Sequence, residues 1–228
     1  MDNAATTPAA KEVVEAMLPC FSGHFGNASS IYKEGQDARR VIEETRRKIA
    51  KFLNAREQEI IFTGSGTESN NTAIKGLALS ELSKKKRHII TSKIEHHAVI
   101  EPCEFLEKQG FKVTYLDVDS NGLINLKELE KAITPETFLV SVMHANNEIG
   151  TIQDIAAIGR ICKANGVLFH TDAVQTFGKL PIDAKKMNID FLSASAHKIY
   201  GPKGIGLLYV REGIKIVPLL HGGGHEFG

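Results

Sequence analysis

From Ser30 to Leu53 apolar residues recur among lysines, arginines and glutamates at the spacing of a helix that hides one face: Ile31, Ala38, Val41, Ile42, Ile49 and Phe52. Ser29 or Ser30 stands where a hydroxyl could cap its start. Beyond it, short runs rich in branched and aromatic residues alternate with longer amphipathic stretches. Residues 59–63 (EIIFT) precede a helical pattern from Thr67 to Leu82, 88–91 (HIIT) precede Ala98 to Gln109, and 111–116 (FKVTYL) precede Leu126 to Ile133. The alternation continues with 138–143 (FLVSVM) before Ile155 to Ala164, then 167–170 (VLFH), 189–194 (IDFLSA) and 205–210 (IGLLYV). Apolar strands separated by helices predict a mostly parallel sheet covered on both faces, a three-layer α/β/α fold. No fixed-period repeat is visible, and KKKR at 84–87 reads as a solvated helix end or loop.

Composition narrows the class of partner more than it narrows the fold. The 228 residues are 42% apolar and 24% charged, as in ordinary globular proteins, and suit one large domain. A net charge of +1 supplies no overall field for nucleic acid or an anionic membrane surface. The opening MDNAATTP has neither the basic segment nor the apolar run of a secretory or transit peptide, and no apolar stretch approaches the ~18 residues of a spanning helix, so a cytoplasmic location is expected. Cys20, Cys103 and Cys162 are odd in number and contain no CxxC pair, against a disulfide framework or structural zinc site. Cys20 closes an apolar N-terminal helix beside Pro19 and the other two fall within helical patterns, so all three are expected to be structural.

In such sheets ligands gather beyond the C-terminal ends of the strands, which directs attention to four segments. After EIIFT comes GSGTESNN, where Gly64 and Gly66 allow close backbone approach and Thr67 opens a helix whose free N–H groups favour phosphate. It is neither a Walker loop nor a full GxGxxG, and a purely structural turn would look the same. After VLFH, Asp172 could hold a proton on a ring nitrogen and Gln175 could bind a phenolic oxygen, while a turn or helix cap explains Asp172 equally well. His96 and His97 open a helix after the HIIT strand, where a surface or satisfied core histidine is the commoner fate.

The fourth segment, SASAHKIYGPKGIG, sets Lys198 among hydroxyls and glycines soon after a buried strand. That setting suits an amine with lowered pKa that bonds a carbonyl. Lys203, in a Pro-Lys-Gly turn, reads as exposed. A phosphate cup, an acid for a pyridine nitrogen, a ring-stacking side chain and a lysine together match the demands of pyridoxal phosphate.

Eight motifs in order make the chain resemble the cysteine desulfurases, the NifS-like branch of the class V aminotransferase superfamily. They are DNAATTP at 2–8, FGNASS at 25–30, GTESNN at 66–71, EHHAV at 95–99, HANNEIGT at 144–151, TDAVQT at 171–176, SAHKIYGPKGIG at 195–206 and HGGGHE at 221–226. The resemblance implies a fold type I pyridoxal 5'-phosphate enzyme large domain spanning 1–228, with residues 1–15 as the family's N-terminal segment and the C-terminal small domain absent. It implies Lys198 as the Schiff-base lysine, Asp172 at the pyridine nitrogen, Gln175 near the ring hydroxyl and His96 stacked on the ring. Gly66, Thr67, Ser195 and His197 become phosphate ligands, and Asn147 a contact to cofactor or substrate. The implied reaction takes sulfur from L-cysteine, leaving L-alanine and a persulfide for iron-sulfur cluster assembly. A homodimer and an iron-sulfur scaffold or sulfur-acceptor protein are the implied partners. In the family the attacking cysteine and the substrate-binding arginine lie beyond the end of this chain, so the chain alone is expected to be inactive.

Three other readings remain in play. A non-catalytic subunit could keep the fold for docking, and a selenocysteine lyase or true aminotransferase would share the cofactor motifs. A metal hydrolase built from EHH, HTD at 170–172 and HGGGH at 221–225 is disfavoured, because the glycines oppose a regular helix and no HExxH occurs. HGGG is also an oxyanion-loop motif of esterases, but no GxSxG elbow accompanies it.

Overall fold

The computed structural model describes residues 2–80 and 86–227. Two helices, α1 (Lys11–Ser22) and α2 (Lys33–Leu53), lead into a series of strands and helices. In chain order these are β1 (Ile60–Thr63), α3 (Gly66–Ala78), β2 (His88–Ser92), α4 (His97–Lys108), β3 (Lys112–Leu116), α5 (Leu126–Ala132), β4 (Thr137–Ser141), α6 (Ile155–Ala164), β5 (Leu168–Asp172), β6 (Phe191–Ser195) and β7 (Gly206–Val210). The seven strands form one sheet in the order β1-β7-β6-β5-β4-β2-β3. Pairing is parallel from β3 through β6, while β7 runs antiparallel to both β6 and β1. The reason for the reversal is local: residues 196–205 are too few for the helical crossover a parallel return demands.

Helices cover both faces, as the apolar strands require. Successive strand residues point to opposite sides, so Ile89, Leu139, Phe191 and Leu208 pack with Ala73, Ile74 and Leu77 of α3 and Val99, Cys103 and Leu106 of α4. Ile90, Val140, Leu192 and Tyr209 pack on the other side with Leu53 of α2, Leu129 of α5 and Ile158 and Cys162 of α6. The C-terminal stretch is pinned to this frame by Arg46, which is 1% exposed. Its guanidinium donates to both carboxylate oxygens of Glu226 and to the Ile60 carbonyl, between the rings of Phe62 and Phe227.

Several expectations need correction at their edges. α2 starts at Lys33, so that Tyr32 holds the cap position and Ser29 and Ser30 fall before it; Ser29 instead donates to Asn27 Oδ1, and Ile31 lies outside the helix and exposed. β4 ends at Ser141, although Val142 and His144 still donate to the carbonyls of His170 and Asp172. α3 ends at Ala78, short of the expected Leu82, because the chain turns at Leu79 and Ser80; residues 81 and 82 of that stretch, with 84 and 85 of the KKKR run, lie outside the described residues. Cys103 and Cys162 are buried as expected of structural thiols, but Cys20 is exposed on α1, a helix with no buried residue. Among the described residues no helix is long and apolar enough to cross a membrane.

Candidate active site

Parallel strands end on the same edge of the sheet, and β1, opposed to β7, ends there too. The chain leaving β1, β2, β4, β5 and β6, with the start of β7, therefore converges on one cleft of about 700 Å³. The nine residues that the resemblance assigns to the cofactor all line it: Gly66, Thr67, His96, Asn147, Asp172, Gln175, Ser195, His197 and Lys198; His97 does not.

The strands grade from apolar to polar toward this edge, with Met143 beyond β4 the exception. On the face covered by α3 and α4, alternation gives Leu139, Ser141 and Met143 along one strand and its extension, Leu168, His170 and Asp172 along the next, and Phe191, Ser193 and Ser195 along the third. The middle layer is hydrogen-bonded across the sheet, since His170 bridges Ser141 Oγ at 2.8 Å and Ser193 Oγ at 3.1 Å. Burial pushes the His170 imidazole down to about 3, so it is neutral. His170, one member of the metal set considered from sequence, is thereby enclosed between two hydroxyls.

Asp172 closes β5 and is 5% exposed. Its carboxylate accepts from Val174 N–H at 2.9 Å and from the Asn70 amide at 2.7 Å. Burial raises its pKa, and these two donors together with the nearby charge of Lys198 pull it back. Opposite, Ser65 caps α3 by accepting from Glu68 N–H, leaving the first turn of a 13-residue helix facing the cleft, a setting that favours an anion. Two glycines make room for this turn. A Cβ on Gly66 would come within 2.7 Å of Val174 Cγ2, and one on Gly206 within 2.6 Å of the Ser65 carbonyl carbon.

Lys198 lies in a 3-10 turn directly after β6. Its Nζ donates to the carbonyls of Ala4 and Ala5, and Gln175 Nε2 donates to the same Ala4 carbonyl at 2.8 Å. Burial and the charge of Lys179 lower the Lys198 pKa, which raises the share of neutral, nucleophilic amine. The lysine turn is held by Thr7: its N–H and hydroxyl both donate to His197 O, at 2.8 and 2.9 Å, and its oxygen accepts from Tyr200 N–H at 2.7 Å. Tyr200 is in the left-handed region at φ 62°, so this turn needs such a clamp. His197 Nδ1 meets Thr6 Oγ1 at 3.1 Å, and burial with the charges of Lys198 and Lys203 lowers its pKa.

His96 caps α4, its Nδ1 accepting from Ala98 N–H at 3.0 Å. The neutral ring consequently carries its proton on Nε2. Asn147 donates to Glu148 Oε1 at 2.6 Å on the rim. Lys203 is exposed, as its turn suggested, yet also reaches the cleft.

Asn70 and Thr7 fall in the GTESNN and DNAATTP motifs, but sequence reading assigned neither a role. Asn70 follows Gly66 by four residues, one helical turn, so helix periodicity could have placed it beside the cleft. Contacts of Thr7 with residues some 190 positions away leave no local pattern.

Residues 1–227 match the family model described as aminotransferase class-V. The chain is 57% identical over 226 residues to the cysteine desulfurase IscS of Dictyoglomus turgidum, covering 99% of this chain and 57% of that protein. It is 58% identical over 226 residues to the cysteine desulfurase IscS of Methanosarcina thermophila, covering 99% and 56%. The solved structure of SspA in complex with cysteine is similar at TM-score 0.96 and 51% identity, over 100% of this chain and 66% of that one. The chain thus spans a little over half the length of these curated relatives. A match that runs through every strand feeding the cleft leaves one assignment: this chain belongs to the aminotransferase class-V family.

Proposed function

We propose that this chain carries the pyridoxal 5'-phosphate site of a cysteine desulfurase, its residues making up the cofactor-binding large domain. The observation that carries the reading is the meeting, in one cleft, of the buried Asp172 carboxylate, the depressed-pKa Lys198 amine and the open N-terminus of α3.

The donor set suits this cofactor. Gly66 and Thr67 at the helix start, with Ser195 and His197, would hold its phosphate. The two donors that orient Asp172 are neutral, so a protonated ring nitrogen would meet a fixed, buried carboxylate. Gln175 would reach the ring hydroxyl, and Asn147 would contact cofactor or substrate. The Lys198 amine would bond the aldehyde carbon and afterwards move protons. His96, with its proton on Nε2, would lie against the ring and donate from that nitrogen. Bound there, the cofactor supplies an electron sink for charge developing on an amino acid.

L-cysteine is the proposed substrate, supported by the names of the relatives and by the cysteine complex of SspA. No cysteine or arginine lines the cleft among the described residues. The thiol that takes the sulfur and the arginine that binds the substrate carboxylate would therefore be supplied from elsewhere. A homodimer, an iron-sulfur scaffold or sulfur acceptor as partner, and a cytoplasmic location complete the proposal.

Product analysis tests it. Cofactor-loaded protein, complemented with the segment that follows the matched region in a relative, should convert L-cysteine to alanine and persulfide sulfur. Alanine from selenocysteine alone, or amino transfer to a keto acid, would reassign the activity. A well-folded, loaded complex that yields no product would favour a docking subunit.

A further inference from the structure

The turn that presents His96 is held from below by a carboxyl that the roles above leave unused. Glu95 is 8% exposed. Its Oε1 accepts from Ser92 Oγ at 2.6 Å, within its own turn, and from Met143 N–H at 2.9 Å, on the chain leaving β4. A second tie joins the same two segments, for Asn146 Nδ2 donates to Ile94 O at 2.7 Å. Asn146 Oδ1 in turn accepts from Glu148 and Ile149 N–H groups, ordering the loop that carries Asn147. His96 itself is exposed, and among the described residues its ring is held within its own helix turn, by the Ala98 N–H and an edge contact with the His97 ring. Its place at the cleft wall is therefore set by what holds the turn.

We propose that Glu95 is a positioning residue for His96, clamping the β2–α4 turn to the end of β4 through one buried carboxyl oxygen. The inference rests on reading the cleft as a cofactor site with His96 against the ring. Desolvation, opposed by the two hydrogen bonds, pushes the Glu95 carboxyl up to about 8, with the nearby charge of Asp172 adding to the rise. Near neutral pH the group is then mainly the uncharged acid, and a neutral carbonyl oxygen is what the clamp uses. A glutamine can supply that oxygen; a methionine of similar shape cannot.

The test compares Glu95→Gln, Glu95→Met, His96→Ala and the double variant Glu95→Met/His96→Ala. Two readouts are taken: pyridoxal phosphate affinity by absorbance titration, and exchange of the Met143 amide in cofactor-free protein by NMR. Glu95→Met should weaken cofactor binding about tenfold and speed Met143 exchange about tenfold, the scale of one lost buried hydrogen bond. Glu95→Gln should stay within about threefold of the parent on both, and the double variant should bind little worse than His96→Ala alone. If Glu95→Met fails to fold, Ser92→Ala removes part of the clamp and should show the same two changes in smaller degree. Parent-like binding by Glu95→Met, a Gln variant as impaired as Met, or additive losses in the double variant would overturn the proposal. If the parent protein itself took up no cofactor, the reading of the cleft would fail, while Met143 exchange would still report whether the clamp exists.

Discussion

Asn70 holds the Asp172 carboxylate from α3: its amide reaches Oδ2 at 2.7 Å while the Val174 backbone takes Oδ1. Both residues are buried, so the hydrogen bond has no water to replace it. Asn70→Ala should raise the Asp172 pKa further, since burial already pushes it up and one of the opposing donors would be gone. A hydrogen bond to a charged group is worth about 1.5–3 kcal/mol, so pyridoxal phosphate affinity should fall at least about tenfold. Equilibrium titration checks this, and unchanged affinity would remove Asn70 from the site.

Thr7 makes the analogous contribution to Lys198. Thr7→Val keeps the shape and deletes the oxygen that serves both His197 O and Tyr200 N–H. The expected cost is about 1–2 kcal/mol of stability, with slower reaction of the Lys198 amine because its turn loosens around a left-handed Tyr200. Denaturant unfolding and the rate of aldehyde uptake measure the two effects separately.

His170 predicts how the fold responds to acid. Its folded pKa is near 3, against about 6.5 for an unperturbed imidazole, because it is neutral and buried between two serines. Between these values the unfolded chain binds a proton that the folded chain refuses, so stability falls as pH drops from about 6.5 toward 3. His170→Gln, neutral throughout, should flatten that limb by up to about 1.4 kcal/mol per pH unit. Urea unfolding across this range would show it; parallel curves for the two proteins would contradict it.

What the sequence discloses here follows from how local each signal is. The strands are legible because Ile89, Val140, Phe169 and Leu192 must be apolar to be sealed between layers, and the cleft residues because they follow those strands. Ser29 and Ser30 mislead as helix caps because the helix begins only at Lys33, and Cys20 misleads because α1 is apolar without being covered. Glu95 stands in the EHHAV motif but gives no sign of its burial, since a glutamate before a helix ordinarily marks solvent. Its burial, like the grip of Thr7 on residues 197 and 200, exists only once β2, β4 and the N-terminal turn have come together.

The Lys198 amine, opposite Asp172, is the proposed attachment point for pyridoxal phosphate. Burial lowers the pKa of this amine, so at neutral pH it should react ahead of the exposed lysines, and faster as pH rises and the neutral form grows. Incubation with pyridoxal phosphate, borohydride reduction and peptide mapping by mass spectrometry measure this directly. One cofactor mass should be found on Lys198 and be lost in Lys198→Ala. Label on Lys203 or scattered over surface lysines, with Lys198 unmodified, would contradict it.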